Sequence, residues 1–328
     1  MIDLFCIGNP LVDVFAEVPG SFCARFGLNA PVQHVSPRRA AAILRELEEG
    51  RAAGTPPPVR RAGGGAATAA RIAAGLGLRT AFAGALGGTS EGPDPPGRFF
   101  EAELGRASTA LHLVCRTAPT GLCITLKTGS ARRIAAAPGA ALEFTAEDIP
   151  KEPARRARLL LLDGYMLDRK ELVQRFFALA RTAALDAGSV FMVRAGAGDI
   201  AAYIKRKPLL LFMNEAEGAA LHRALGENPG PGVPEKETEN FLRDLCRGAP
   251  RSCVVLKRGS RGALVFKGNT LLRAETEVLH PEHSAGAGDA FAGGFLAGFL
   301  QRRTLEECAA LGNRTAGAFL AGLPENRP

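Results

Sequence analysis

The chain has 328 residues, 46% of them hydrophobic and 23% charged, with a formal net charge of +8. That length buries a large core without staples, and the composition excludes both a disulfide-bound mini-domain and a disordered chain. No apolar run reaches the ~18 to 20 residues of a membrane-spanning helix, and the seven cysteines are scattered, odd in number and without a C-x-x-C pair, so a soluble protein of a reducing cytoplasm is expected, with no disulfide framework and no zinc site.

Residues 1–10 carry an acid at Asp3 and no basic opening, which reads as a buried strand running into a turn and not as a secretory signal. A loop falls at 54–58, and Gly63-Gly64 lead into a helix predicted over 66–76. A second Gly/Pro-rich loop covers 87–97. The clearest buried strands are 159–162, 190–193, 209–213 and 253–256, with a helix over 170–187 and a loop at 228–236. Strands alternating with Ala/Leu/Arg-rich helices predict an α/β protein with a largely parallel sheet. The loops interrupt one composition, so they read as surface insertions in a single domain.

The basic pairs Arg60-Arg61, Arg132-Arg133, Arg155-Arg156 and Arg302-Arg303 are dispersed, aromatics are 6% and tryptophan is absent. Nucleic acid is therefore not an expected partner. A solvated basic surface is the plain reading, and a few arginines meeting a small anionic ligand such as a nucleotide is the sharper one.

The most informative stretch is His283-Ser284-Ala285-Gly286-Ala287-Gly288-Asp289, followed by a long apolar run to Leu300. Small residues let backbone N–H groups converge where a helix begins, and such an N-terminus favours negative charge. Asp289 at the edge of this cradle can accept a proton from a hydroxyl attacking a phosphate. A Gly-rich turn capped by the aspartate is an equal reading of the same residues. Gly-Ala-Gly-Asp recurs at 196–199, after the predicted 190–193 strand and before a short basic helix closed by Pro208, where it reads as a turn and cap. Neither copy is G-x-G-x-x-G, since position 291 is Phe and position 201 is Ala, so a dinucleotide fold is not indicated.

Three further segments accompany the 283–300 motif: Gly8-Asn9-Pro10-Leu11-Val12-Asp13, Gly63-Gly64-Gly65-Ala66-Ala67-Thr68, and Asn214-Glu215-Ala216-Glu217. Together and in this order they resemble the ribokinase family of pfkB carbohydrate kinases. Pro119-Thr120-Gly121-Leu122-Cys123 and Thr128-Gly129-Ser130-Ala131-Arg132 bring the resemblance closest to the adenosine kinase branch. The resemblance implies a cytoplasmic enzyme that transfers the γ-phosphate of ATP, with Mg2+, to a primary hydroxyl of a sugar or nucleoside. It implies a three-layer α/β/α sandwich with a mostly parallel sheet, its core near 1–12, 51–107 and 141–328, and a small β-sheet lid near 13–50 and 108–140. Lid strands pair between subunits in some members, so a homodimer and a monomer both stay open.

By the same resemblance Asp289 would be the catalytic base, and the amides of Gly286, Ala287 and Gly288 the anion hole. Asn9, Asp13, Gly63, Gly64 and Thr68 would meet the acceptor. Asn214 and Glu217 match the N-x-x-E that organises magnesium and phosphate through water; from residue types alone they read as a strand-end turn and a solvated helix start. Lys257, Gly259 and Gly262 resemble the nucleotide-side loop, Asn313 the adenine-side asparagine, and Arg132 a lid arginine reaching the γ-phosphate. Tyr165 and Met166 read as walls of the acceptor pocket or as core.

Four departures stand out. His283-Ser284 replace the usual Asp-Thr, removing a carboxylate near the monovalent-cation site and leaving K+ activation open. Thr68 replaces an asparagine, Arg194 stands after the predicted 190–193 strand where an acid is common, and the 87–97 stretch enlarges the acceptor rim. His283, Thr68 and Arg194 motivate the alternative of a catalytically weak ligand-binding or regulatory protein on the same fold. His280 and His283 lack a third ligand and read as neutral loop histidines.

Overall fold

The computed structural model describes residues 1–49, 57–107, 109–129, 131–226, 234–276 and 285–322. The central sheet runs in the order Thr270–Ala274, Ala263–Lys267, Cys253–Lys257, Leu209–Asn214, Ala183–Asp186, Leu159–Asp163, Leu4–Ile7, Thr80–Thr89, Gly92–Pro93, and Ala110–Arg116 also pairs with Thr80–Thr89. Pairing is parallel from Ala110–Arg116 through to Cys253–Lys257 and antiparallel at the Ala263–Lys267 and Thr270–Ala274 end. Successive side chains alternate between two cores: Leu4 and Cys6 join one, Phe5 and Ile7 the other. Helices Gly65–Gly75, Ala287–Leu300 and Leu305–Ala321 cover the first face, while Lys170–Leu179, Val190–Arg206 and Glu215–Leu225 cover the second. Strands buried on both faces are why these segments read as continuous apolar runs.

Two elements differ from the sequence reading. The predicted 170–187 helix stops at Leu179, and Ala183–Asp186 forms a buried strand between Leu159–Asp163 and Leu209–Asn214. The predicted 190–193 strand is the first turn of the helix Val190–Arg206, where Ser189 Oγ accepts the Met192 N–H. Its buried positions, Val193, Ala197, Ile200 and Ile204, recur at helical spacing, while Phe191 is 71% exposed. Gly196-Ala197-Gly198-Asp199 is thus helix interior, and Arg194 stands in that helix, not after a strand. The 87–97 stretch is likewise not a loop: it holds the end of Thr80–Thr89, the short strand Gly92–Pro93 and the start of helix Pro95–Arg106, which Asp94 caps by accepting the Gly97 N–H.

A second sheet runs Val32–His34, Ala131–Ala137, Gly121–Thr128, Leu11–Glu17, Val59–Gly63. Helix Pro37–Glu49 buries Ala40, Ile43 and Leu47 against it. The boundaries shift from the expected 13–50 and 108–140: Leu11–Glu17 and Val59–Gly63 belong to this sheet, and Ala110–Arg116 to the central one. His280, His283, Ser284, Ser130 and most of the 54–58 and 228–236 stretches lie outside the described residues.

Candidate active site

Parallel pairing brings the C-terminal ends of the core strands to one edge, where the helices that follow them begin. That edge is where open α/β sheets form ligand crevices. Register places Asp163 opposite Asp186 and Asn214 opposite Lys257, so four polar side chains project from adjacent strand ends. A cavity of about 820 Å3 opens there. Of the residues singled out in the sequence, it is lined by Gly286, Ala287, Gly288, Asp289, Asn214, Glu217, Lys257, Gly259, Gly262, Asn313 and Tyr165. Met166 is instead wholly buried in the core.

Helix Ala287–Leu300 starts at this cavity. Its N-cap is Gly286, whose φ of 83° is a left-handed conformation that glycine adopts without strain. The aspartate is therefore not the cap; it occupies the first helical turn with its carboxylate in the cavity wall. The first-turn N–H groups have no partner within the helix, and they carry the positive end of its dipole. Close packing fixes this helix: a Cβ built on Gly293 would stand 2.7 Å from the Ala69 carbonyl oxygen.

Asp289 is held well above the usual carboxylate range, chiefly by burial and then by the charge of Asp186; Lys257 opposes this, and Asp163 and Asp13 add to it. Gly65 faces it, since a Cβ there would lie 2.9 Å from Asp289 Oδ1. Lys257 Nζ donates to Asp186 Oδ1 at 2.7 Å and Oδ2 at 2.9 Å. Asp163 accepts the Tyr165 N–H at 3.0 Å and those of Ala66 and Asn9, yet burial pushes its carboxyl up to about 6. It thereby ties the turn after the first strand to the helix Gly65–Gly75.

Asn214 and Glu217 form a reciprocal capping box on helix Glu215–Leu225. Asn214 Oδ1 accepts the Glu217 N–H at 2.9 Å, while Glu217 Oε2 accepts the Asn214 N–H and Oε1 accepts Asn214 Nδ2, both at 2.8 Å. Glu217 is 4% exposed, so it is not a solvated helix start, and its carboxyl is raised, chiefly by burial. Among the described residues no group of three or more His, Cys, Asp or Glu side chains is arranged to hold a metal ion. A divalent ion that arrives with a polyphosphate and keeps its waters fits this donor set, because both carboxylate oxygens of Glu217 are already engaged by Asn214. The loop at 257–262 is pinned from outside, where Arg258 donates to Glu235 Oε1 at 2.7 Å and Arg261 to Glu235 Oε2 at 2.9 Å. Asn313 donates through Nδ2 to the Glu275 carbonyl at 2.9 Å.

The remaining expected residues do not line the cavity. Asp13 lies in the second sheet, and a Cβ on Gly63 would collide with its carboxylate. Gly64, at φ 94°, turns the chain into the helix, so Gly63-Gly64-Gly65 spans the gap between Asp13 and Asp289. Asn9 Oδ1 accepts from Arg169 Nη2 at 3.3 Å, and Thr68 is buried in the helix with its N–H on the Gly64 carbonyl at 2.9 Å. Arg132 Nη2 donates to Thr125 Oγ1 at 3.3 Å within its own sheet. Sequence reasoning missed Asp186, Asp163 and Gly65. The signal for Asp163 was an acid closing a buried strand; Asp186 was hidden because its strand was read as helix.

An α/β sandwich with a helix N-terminus and an adjoining carboxylate at the strand-end cavity, and with a second, smaller sheet, is the architecture of ribokinase-fold kinases. Residues 42–321 match the pfkB family carbohydrate kinases, and the chain belongs to that family. It is 26% identical over 254 residues to an uncharacterized sugar kinase of Archaeoglobus fulgidus, covering 72% of this chain and 89% of that one. It is 36% identical over 123 residues to a cytidine kinase of Thermococcus kodakarensis, covering 33% of this chain and 39% of that one. Among solved structures, an adenosine kinase from Sinorhizobium meliloti superposes with a TM-score of 0.79 at 24% identity, covering 100% of this chain and 96% of the other. No helix among the described residues is long and apolar enough to cross a membrane.

Proposed function

We propose that the protein transfers the γ-phosphoryl group of ATP to a primary hydroxyl of a sugar or nucleoside. The observation that carries this reading is Asp289, a carboxylate of raised proton affinity set in the first turn of a helix whose free N–H groups face the same cavity. A base near the operating pH is suited to take the proton of an attacking hydroxyl, and free amides beside it are suited to charge on the transferred group. In the step, the acceptor oxygen bonds to the γ-phosphorus, the bond to the β,γ-bridging oxygen breaks, and the hydroxyl proton passes to Asp289. Bound Mg2+ would supply charge neutralisation across the phosphates, with Asn214 and Glu217 orienting its water shell. Asn9, Asp13 and the Gly63-Gly64 backbone would receive the acceptor hydroxyls, and Gly259, Gly262 and Asn313 the nucleoside end of ATP.

The test is ATP turnover with Mg2+ across nucleosides, ribose, fructose and related sugars, with and without K+, alongside Asp289→Asn. Turnover with one acceptor that falls at least ~100-fold in the variant is expected. Turnover that Asp289→Asn leaves intact, or none with any acceptor, would overturn the reading.

A further inference from the structure

Among the described residues lining the cavity, Lys257 is the one cationic side chain. It leaves the end of the strand Cys253–Lys257 with 14% of its side chain exposed, and two of its three ammonium N–H groups go to Asp186. Its stem runs along the start of helix Ala287–Leu300, for a Cβ built on Gly288 would lie 3.1 Å from Nζ and 3.5 Å from Cε. The ammonium and the free amides thus converge on one turn. Arg132, the arginine that the motif pattern assigned to the γ-phosphate, is engaged with Thr125 and lines no part of the cavity.

We propose that Lys257 is the cation that neutralises charge on the transferring phosphoryl group, that Asp186 is the positioning residue that holds it there, and that Arg132 is dispensable for the step. This rests on the kinase reading above. As the bridging bond breaks, charge gathers on the bridging oxygen and the equatorial phosphoryl oxygens, and a lysine meets it as a compact point charge beside the amides. A four-carbon stem without an anchor samples many rotamers, and the two-point contact with Asp186 confines it. Asp186, Asp289 and Glu217 together keep the ammonium protonated against the cost of its burial.

The experiment measures kcat, and calorimetric binding of the β,γ-imido analogue of ATP and of ADP with Mg2+, for wild type, Lys257→Met, Asp186→Asn, Asp186→Asn/Lys257→Met and Arg132→Ala. Lys257→Met should lower kcat about 100- to 1,000-fold and remove most of the preference for the triphosphate analogue, with ADP affinity nearly unchanged. The double variant replaces the ion pair by a neutral pair and should show the same losses while melting near wild type, which separates the effect from misfolding. Arg132→Ala should keep kcat within about threefold. Asp186→Asn should lower kcat and move the acid limb of kcat/KM to lower pH, because Asp289 then faces only Lys257, Asp163 and Asp13, one fewer negative charge. The inference is overturned if Lys257→Met keeps kcat or the triphosphate preference, if Arg132→Ala loses more than about tenfold, or if the acid limb stays in place in Asp186→Asn. Those outcomes leave wild-type turnover standing; a wild type that binds neither nucleotide overturns the kinase reading and this inference together.

Discussion

Gly65→Ala separates the chemistry of the site from the stability of the fold. Gly65 opens the helix Gly65–Gly75 with a backbone that any residue can adopt, since its φ is not in the left-handed region. Alanine is favoured over glycine in a helix by about 0.5–1 kcal/mol, so the substitution should leave the melting temperature unchanged or slightly raised. Its methyl group, however, would stand 2.9 Å from Asp289 Oδ1 and 3.2 Å from Cγ. A carbon–oxygen contact relaxes at roughly 3.4 Å, so the carboxylate must retreat by about 0.5 Å. A misplacement of about 1 Å in a reacting group costs on the order of 100-fold, so half of that should cost on the order of tenfold in kcat, or about 1.4 kcal/mol. The assay is steady-state ATP turnover with saturating acceptor beside a thermal melt and calorimetric ADP binding. Wild-type kcat in a variant of wild-type stability would show that Asp289 does not need its observed position, and would refute its role as base.

Three further outcomes follow from the same geometry. As the proposed base Asp289 must be ionised to accept a proton and its carboxyl is raised to about 8, so kcat/KM should fall as pH drops through that value; a limb near pH 4, measured by rate against pH, would contradict the burial and the Asp186 charge that raise it. Asn214→Ala removes the acceptor of the Glu217 N–H, and urea unfolding should show a loss of about 1 kcal/mol together with weaker Mg2+-dependent nucleotide binding. Asp3 is held at about 2, against an ordinary 3.8, chiefly by its hydrogen bond from Arg79 and further by Arg158, with burial opposing. A carboxyl lowered in the folded state stabilises the fold above its unfolded value and loses that stabilisation as pH falls from about 4 towards 2. Because the Arg79 side chain is 66% exposed, screening limits this to about 1 kcal/mol; Asp3→Asn should flatten acid unfolding over that window, and an unchanged acid transition would count against it.

The strands at 159–162, 209–213 and 253–256 were legible because each is buried on both faces and therefore apolar at every position. The strand Ala183–Asp186 was not, because Ala183-Ala184-Leu185 continues the composition of the helix before it and only its neighbours on either side select the extended form. Val190-Phe191-Met192-Val193 failed in the opposite sense: four apolar residues suggested a strand, but Phe191 faces solvent and the Ser189 cap decides the helix. Local motifs were readable in the site, since the Gly286–Asp289 turn and the Asn214–Glu217 box each close within four residues. The Asp186–Lys257 pair spans 71 positions and has no local signature; the order of the strands sets the two residues on either side of Leu209–Asn214, and the long lysine side chain closes the remaining gap.

The same distinction separates the reaction from the acceptor. Asp163, Asp186, Asn214 and Lys257 are fixed by the register of one parallel sheet, and Asp289 by a helix packed against it, so the edge to which the proposed reaction assigns the phosphates follows from the fold itself. Asp13 and Gly63 come from the second sheet, whose order mixes parallel and antiparallel pairs and whose edge the Gly63-Gly64-Gly65 turn joins to the core. A change of a few side chains on that sheet would reshape the proposed acceptor side without disturbing a single core strand. Substitutions that alter KM for the acceptor at constant nucleotide affinity should therefore cluster in Leu11–Glu17, Val59–Gly63 and Gly121–Thr128, and those that alter kcat at the core strand ends.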